Sequence, residues 1–231
     1  NPETQETARK QTGSFYTPRE IVNYMVNESL IAYYQTKVPD VSEENLRALF
    51  SYEDKLFDIP GAKREALIQA TFDCKILDPA CGSGAFPMGI LQQMVHVLGK
   101  LDPQNTFWSR LVLDKSMQEF DDAEKETDED KLVLQEEIYN TFETHIQFPD
   151  YTRKLYLIEN CIYGVDIQSI AVQISKLRFF ISLICEQKRN SNPEMNYGIR
   201  PLPNLETKFV AANTLIGIEK PEEDVQYLKD D

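Results

Sequence analysis

The chain has 231 residues, of which 42% are hydrophobic and 27% are charged, and its formal net charge at pH 7 is −14. This length can support one sizeable core but hardly two full domains. The negative charge is the reverse of the basic surface that neutralises phosphates, so we do not expect this chain to hold DNA tightly by itself.

The cysteines, the histidines and the lengths of the apolar runs argue against further classes of protein. Four cysteines without C-x-x-C spacing and two histidines, His96 and His145, argue against a zinc site and against a His-based catalytic triad. No apolar run approaches the length of a membrane span, and the first residues lack the apolar core of a signal peptide. We therefore expect a cytoplasmic chain that makes no membrane contact.

Residues 1–72 are predicted to form an N-terminal helical segment. A helix is expected to begin at Pro18, with Thr17 as its N-cap and Glu20 at the third helical position. Its apolar residues fall mostly on one face: Ile21, Val22, Met25, Leu30 and Ile31. Two short helices broken at "DIPG" should follow over residues 40–72, with three residues spaced for burial: Leu46, Leu49 and Phe50.

Residues 73–231 are predicted to form an α/β core. The stretch "KILDPACGSGAF" reads as a strand, a tight turn and the start of a helix that continues through "FPMGILQQMVHVLGKL". A second strand, "NCIYGVDI", precedes a strongly apolar helix, and "TKFVAANTLIGI" supplies a third strand. This alternation implies parallel strands joined by crossover helices, and hence a doubly wound sheet.

A charged and almost glycine-free stretch separates the first two strands. Its apolar residues recur at helical intervals on both sides of "DDAEKETDED". We interpret residues 102–144 as an inserted, projecting helical hairpin with its tip near residue 127.

The turn after the first strand carries the strongest functional signal. Gly82 and Gly84 match the first two glycines of a dinucleotide-binding G-x-G-x-x-G, but Pro87 occupies the third position. Asp78 would repel a diphosphate and attract a cation, and no glycine-lysine-serine or glycine-lysine-threonine of a P-loop follows. The turn therefore favours a nucleotide-like ligand that carries a positive group.

S-adenosylmethionine has that polarity. Its ammonium could donate to Asp78, and its carboxylate could accept from backbone amides around Gly82 to Gly84. Asp166, at the end of the second strand, could bind both ribose hydroxyls, as the acidic residue of dinucleotide folds does. Ile167 could then lie against the adenine ring.

Four motifs in order, "GSFYTP", "ILDPACGSGAF", "IYGVDI" and "LPNLETKFVAANTLIG", resemble those of N6-adenine DNA methyltransferases whose cofactor motifs precede the catalytic one. The resemblance covers residues 13 to 217 and is closest to type IIG restriction-modification polypeptides and phage-exclusion (BREX) methylases. It implies a Rossmann-like fold that binds S-adenosylmethionine.

The resemblance also assigns residues to the cofactor site. The "FYTP" segment of the family closes over the methionine part of the cofactor, which implies Tyr16, Thr17 and Pro18. Asn213 corresponds to the segment whose polar residue reads the adenine amino group. The remaining implied cofactor-binding residues surround the first two strands: Asp78, Pro79, Ala80, Gly82, Ser83, Gly84, Phe86, Asp166 and Ile167.

The catalytic signature of that family, asparagine-proline-proline-aromatic, does not occur in this chain. "SNPEMN" lacks the second proline and the aromatic residue, and it precedes the third strand. In the family, the asparagine oxygen and a backbone carbonyl accept the hydrogens of a flipped adenine's amine, and the aromatic ring stacks on the base. We therefore expect no catalytic residue here, and contacts to double-stranded DNA through regions absent from this chain.

Other interpretations remain open at this stage. The cofactor turn does not name the methyl acceptor, so an RNA or protein methyltransferase is an alternative. A non-catalytic module could instead use the hairpin to dock a nuclease domain or subunit of the same system. Among single residues, Asp166 could be a helix N-cap and Asn213 an ordinary turn residue.

Overall fold

A computed structural model describes residues 17–121, 148–189, 191–200 and 202–216 of the chain. Within these residues, three helices precede the first strand. These helices are α1 (Arg19–Lys37), α2 (Glu43–Phe50) and α3 (Gly61–Asp73). Ser42 caps α2 by accepting from the N–H of Asn45 at 3.3 Å. The predicted pair of short helices is confirmed, and so is the burial of Leu46, Leu49 and Phe50.

Helix α1 differs from its prediction in its first residue and in its buried face. Pro18 keeps an extended backbone with ψ 142°, so it is the N-cap, and among the residues described here no side chain, Thr17 included, caps the helix as expected. Val22, Leu30 and Ile31 are buried as predicted, whereas Ile21 and Met25 are exposed. The buried face follows Val22 at intervals of four residues and is therefore displaced by about one residue from the predicted one.

The sheet has three parallel strands in the order β1 (Ile76–Asp78), β2 (Ile162–Asp166) and β3 (Phe209–Ala211). Ile76 pairs with Ile162, and Gly164 pairs with Phe209. Gly164 is required here because a Cβ at this position would lie 2.7 Å from the Phe209 ring. The prediction of parallel strands is confirmed, and the three strands end at the same edge of the sheet.

Three described helices lie between β1 and β2 in the chain: α4 (Ala85–Leu101), α5 (Thr106–Asp121) and α6 (Pro149–Asn160). After β2 come α7 (Ser169–Ile184), a 3-10 turn at Pro193–Gly198 and then β3. Helix α6 packs between α4 and α7, so these three form one layer on the strands. Leu77 and Val210 remain exposed on the sheet. The described residues supply no second helical layer there, so the doubly wound arrangement stays a prediction. None of the described helices is long and apolar enough to cross a membrane.

The charged stretch between β1 and β2 contains the predicted first helical arm, α5. The carboxylate of Asp102 accepts from the N–H groups of Thr106 and Trp108 at 3.0 and 2.9 Å and so fixes the start of α5. Trp108 is fully buried between Phe72 and Tyr156, so the base of α5 lies in the core and does not project. The predicted tip and second arm, at 122–144, lie outside the described residues.

Helix α6 was not predicted. Its buried residues include polar ones, which interrupt the apolar stripe that would reveal a helix in the sequence. Arg153 is 2% exposed and donates to the Asn105 side chain at 2.9 Å and to the backbone carbonyl of Asp102. These bonds tie α6 to the loop before α5.

Candidate functional site

The glycine turn after β1 has the geometry that its sequence predicts. Gly82 and Gly84 adopt φ values of +53° and +81°, in the left-handed region that favours glycine. A Cβ on Gly84 would also lie 2.6 Å from the Ser175 hydroxyl oxygen. The turn leads directly into α4, so strand, turn and helix follow one another as predicted.

Asp78 has a carboxylate oxygen that lacks a partner within the described ranges. Its Oδ1 accepts from the Ala80 N–H at 3.1 Å, whereas its Oδ2 is buried and no donor reaches it from the described residues. Burial raises the pKa of Asp78, and the negative charge of Asp166 raises it further against the opposing Ala80 hydrogen bond. A buried acceptor of this kind suits a cationic donor supplied by a ligand.

Asp166 ties the end of β2 to the glycine turn. One carboxylate oxygen accepts from the Gly82 N–H at 2.8 Å, and the other accepts from the Gln168 N–H at 2.8 Å. Gln168 is itself the N-cap of α7, so Asp166 does not serve as that cap. Each carboxylate oxygen has two lone-pair sites, which leaves acceptor capacity for hydroxyl groups.

The amides predicted to bind a ligand carboxylate are partly used within the protein. The Gly82 N–H donates to Asp166, and the Gly84 N–H donates to the Cys81 carbonyl at 2.8 Å. In the described part of the chain we find no acceptor for the Ser83 N–H. Ser83 is therefore the amide of this turn that is best placed to donate to a ligand.

Three side chains hold the turn and were not predicted. Ser175 donates its hydroxyl to the Gly82 carbonyl at 3.1 Å, and Arg178 donates to the Ser83 carbonyl at 2.8 Å. Thr214 donates to the Pro79 carbonyl at 3.1 Å, which joins the loop after β3 to the loop after β1. A sequence signal exists only for Ser175, a small polar residue on the buried face of an apolar helix.

Three further residues were predicted to bind the cofactor: Ile167, Asn213 and Phe86. Ile167 is 70% exposed beside Asp166. The Asn213 side-chain oxygen accepts from the Leu215 N–H at 3.0 Å, which is the geometry of an ordinary turn residue. Phe86 lines an apolar cavity of about 200 Å³ between α1, β1 and α4, together with Val26.

The start of α1 lies at the same end of the molecule as the glycine turn. Val22 packs against Gly89 near the start of α4, and Tyr34 bonds the Thr71 hydroxyl near the opposite end of β1. Helices α1 and α4 therefore run in the same direction, which brings Thr17 and Pro18 toward the turn. Tyr16 lies outside the described residues.

Comparison with known proteins identifies one informative relative. The chain is 26% identical over 226 residues to a protein of Methanocaldococcus jannaschii that is provisionally named a type II restriction enzyme and methyltransferase. The alignment covers 92% of this chain but 15% of the relative. No family model matches the chain, and no solved structure matches it significantly. The relative supports the predicted relation to restriction-modification methyltransferases, and it does not address which atom is methylated.

Proposed function

We propose that this chain is the S-adenosylmethionine-binding part of a site-specific DNA adenine-N6 methyltransferase of a restriction-modification or phage-defence system. The observation that carries the proposal is the buried Oδ2 of Asp78, which has no partner among the described residues and lies at the carboxyl edge of a parallel sheet beside Asp166 and a left-handed glycine turn. Ligands of open α/β sheets bind at this edge.

The side chains present fit the groups of this cofactor. Asp78 would accept from the ammonium, Asp166 would accept from the ribose hydroxyls, and Ile167 offers an exposed apolar surface for the adenine. The bound cofactor supplies a methyl group on a sulfonium. The contribution of this chain is to bind and orient it.

The choice of adenine as acceptor rests on the resemblance of the four motifs. The asparagine-proline-proline-aromatic motif and a target-recognition region would lie elsewhere in a longer polypeptide, so we expect this chain to be inactive alone. The net charge of −14 agrees with DNA contacts made by other, basic parts.

Isothermal titration with S-adenosylmethionine, its demethylated product, NAD and ATP tests the cofactor assignment. We expect binding of the first two only, and a loss of roughly 10-fold or more in affinity for Asp166→Ala, because a charged hydrogen-bond acceptor is removed. Glu65→Ala, at an exposed position of α3, is the control and should bind like the wild type. Equal affinity in Asp166→Ala would contradict the ribose assignment.

The acceptor is tested separately with the longer polypeptide. Methyl transfer from radiolabelled cofactor to DNA, followed by nucleoside analysis, should yield N6-methyladenine. Transfer to RNA or protein would replace the adenine proposal but keep the cofactor assignment, and binding of none of the four ligands would favour a non-catalytic interaction module.

A further inference from the structure

Helix α7 is apolar on two opposite faces. Its inner face is buried against the sheet through Val172, Phe179 and Leu183. The outer face carries five large apolar side chains, each between 43% and 66% exposed, which we call the outer stripe: Ile170, Ile174, Leu177, Ile181 and Ile184. A helix that is apolar all round is normally buried on both sides.

The spacing of the outer stripe indicates what covers it. Its members follow one another at alternating intervals of four and three residues, and Ile167 extends the pattern by one step before the helix. This 3.5-residue repeat is the seam of helices that pack side by side. Helix α7 contains no acidic residue, and its Lys176 and Arg178 are bonded to Glu206 and to the Ser83 carbonyl. These features favour an apolar helix face as the covering element.

The exposed area distinguishes between occupants. The outer stripe exposes roughly 500 Å², within the range of the largest apolar patch on ordinary monomers. A second copy packed through the same stripe would bury about 1,000 Å² in total, which is just below the range of specific interfaces. Such a dimer would also leave three exposed apolar residues uncovered. Leu77 and Val210 lie on the sheet face opposite to that of Phe209, and Leu215 is 92% exposed.

A longer polypeptide can cover apolar surfaces on both faces of one sheet, because its additional segments can pack against each face. The relative has 85% of its own length outside the aligned region, so a protein of its kind has ample chain for this. We propose that the outer stripe of α7 is the docking surface for a helix of the same polypeptide outside residues 1–231. The inference rests on the proposed function only in that this chain belongs to a longer methyltransferase.

Cysteine accessibility in the full polypeptide tests the docking. Leu177→Cys is prepared together with Cys185→Ser, because Cys185 is exposed whereas Cys74, Cys81 and Cys161 are buried. The matched control is Glu65→Cys in the same background, an exposed position on another helix. We expect maleimide to label position 177 roughly 100-fold more slowly than position 65, because labelling then requires local opening. Equal labelling rates would overturn the proposal.

The occupant is identified by a photoreactive benzoyl-phenylalanine placed at position 177 in an equal mixture of ¹⁴N- and ¹⁵N-labelled full polypeptide. We expect crosslinked peptides of matched isotope that join position 177 to a helix outside residues 1–231. Crosslinks of mixed isotope, or protection that is lost on dilution, would identify a second copy and overturn the proposal. Crosslinks confined to residues 1–231 would also overturn it.

Titration of the Leu177→Cys protein with S-adenosylmethionine separates this inference from the proposed function. Bound cofactor with a reactive position 177 would reject the docking surface and keep the cofactor site. A protected position 177 without cofactor binding would reject the cofactor site and keep the docking surface.

Discussion

The two ends of the sheet are built in opposite ways. At the amino ends of β1 and β2, Phe72 stacks on Tyr156 with ring centroids 4.3 Å apart, and both rings meet the edge of the fully buried Trp108. At the carboxyl ends, Asp78 has a buried oxygen that finds no partner in the described part of the chain, and Asp166 adds a second negative charge. One end gains stability from close packing, and the buried polar atom that lacks a partner there among the described residues, Trp108 Nε1, is uncharged. The other end holds a desolvated charge, which is costly in the free protein and therefore points to a ligand.

The largest effect should come from breaking the packed end. Trp108→Ala removes a fully buried ring that contacts Phe72 and Tyr156, so we expect the free energy of unfolding to fall by about 3–5 kcal/mol. Urea denaturation followed by circular dichroism measures this loss. Cofactor affinity of the molecules that remain folded should change little, because the ring lies away from the glycine turn.

An exposed aromatic residue provides the control for this experiment. Tyr24 is 66% exposed on α1, and Tyr24→Ala should change the free energy of unfolding by less than about 0.5 kcal/mol. Comparable losses in the two variants would show that the aromatic cluster is not the stabilising end of the sheet.

The second prediction concerns Asp78 at the carboxyl ends of the strands, where a substitution should raise the stability of the protein and lower its affinity for the cofactor. Asp78→Asn removes the buried charge beside Asp166, while its amide oxygen can still accept from the Ala80 N–H. The ligand-free protein should therefore melt at a higher temperature. Affinity for S-adenosylmethionine should fall roughly 10- to 100-fold, because the ammonium loses a charged acceptor. Thermal melts and calorimetry measure the two changes.

The pH dependence sharpens the same comparison. Because the folded state raises the pKa of Asp78, the contribution of this group to stability is complete below its unfolded pKa and is lost as pH rises through the folded pKa. Cofactor affinity should rise over the same interval, since only the carboxylate pairs with the ammonium. Asp78→Asn should make both slopes smaller, and the stability slope that remains includes the contribution of Glu159, whose pKa burial also raises. Identical slopes in wild type and variant would contradict the role given to Asp78.

The sequence predicts best what is determined locally. The carboxylate at the end of β1 and the two glycines at positive φ lie within seven residues, and short-range turn chemistry constrains all three. The start of α3 is similarly local, because Pro60 is its N-cap and proline favours the beginning of a helix. These features appear in the structure where the sequence indicates them.

Features that depend on distant contacts were not predictable from the pattern. Helix α6 buries the charged Arg153, whose hydrogens are accepted by Asn105 and Asp102, some fifty positions earlier, as well as by the neighbouring Asp150. The capping role expected for Thr17 failed because the ψ of 142° at Pro18 is outside the helical range, so the helix starts one residue later. Ser175 contacts Gly82 across 93 positions of sequence, and only the folded sheet brings them together.

The smallest effect should come from Ser175, which positions the turn without contacting a ligand. Ser175→Ala removes the hydrogen bond to the Gly82 carbonyl and the contact beside Gly84, at a cost in stability of about 1 kcal/mol. We expect cofactor affinity to fall only about 3- to 10-fold, together with faster hydrogen exchange of the amides at 82–84. Ser182→Ala on the same helix is the matched control and should leave the exchange of these amides unchanged. If the two variants exchange alike, the turn holds its shape without α7, and the left-handed glycines alone account for it.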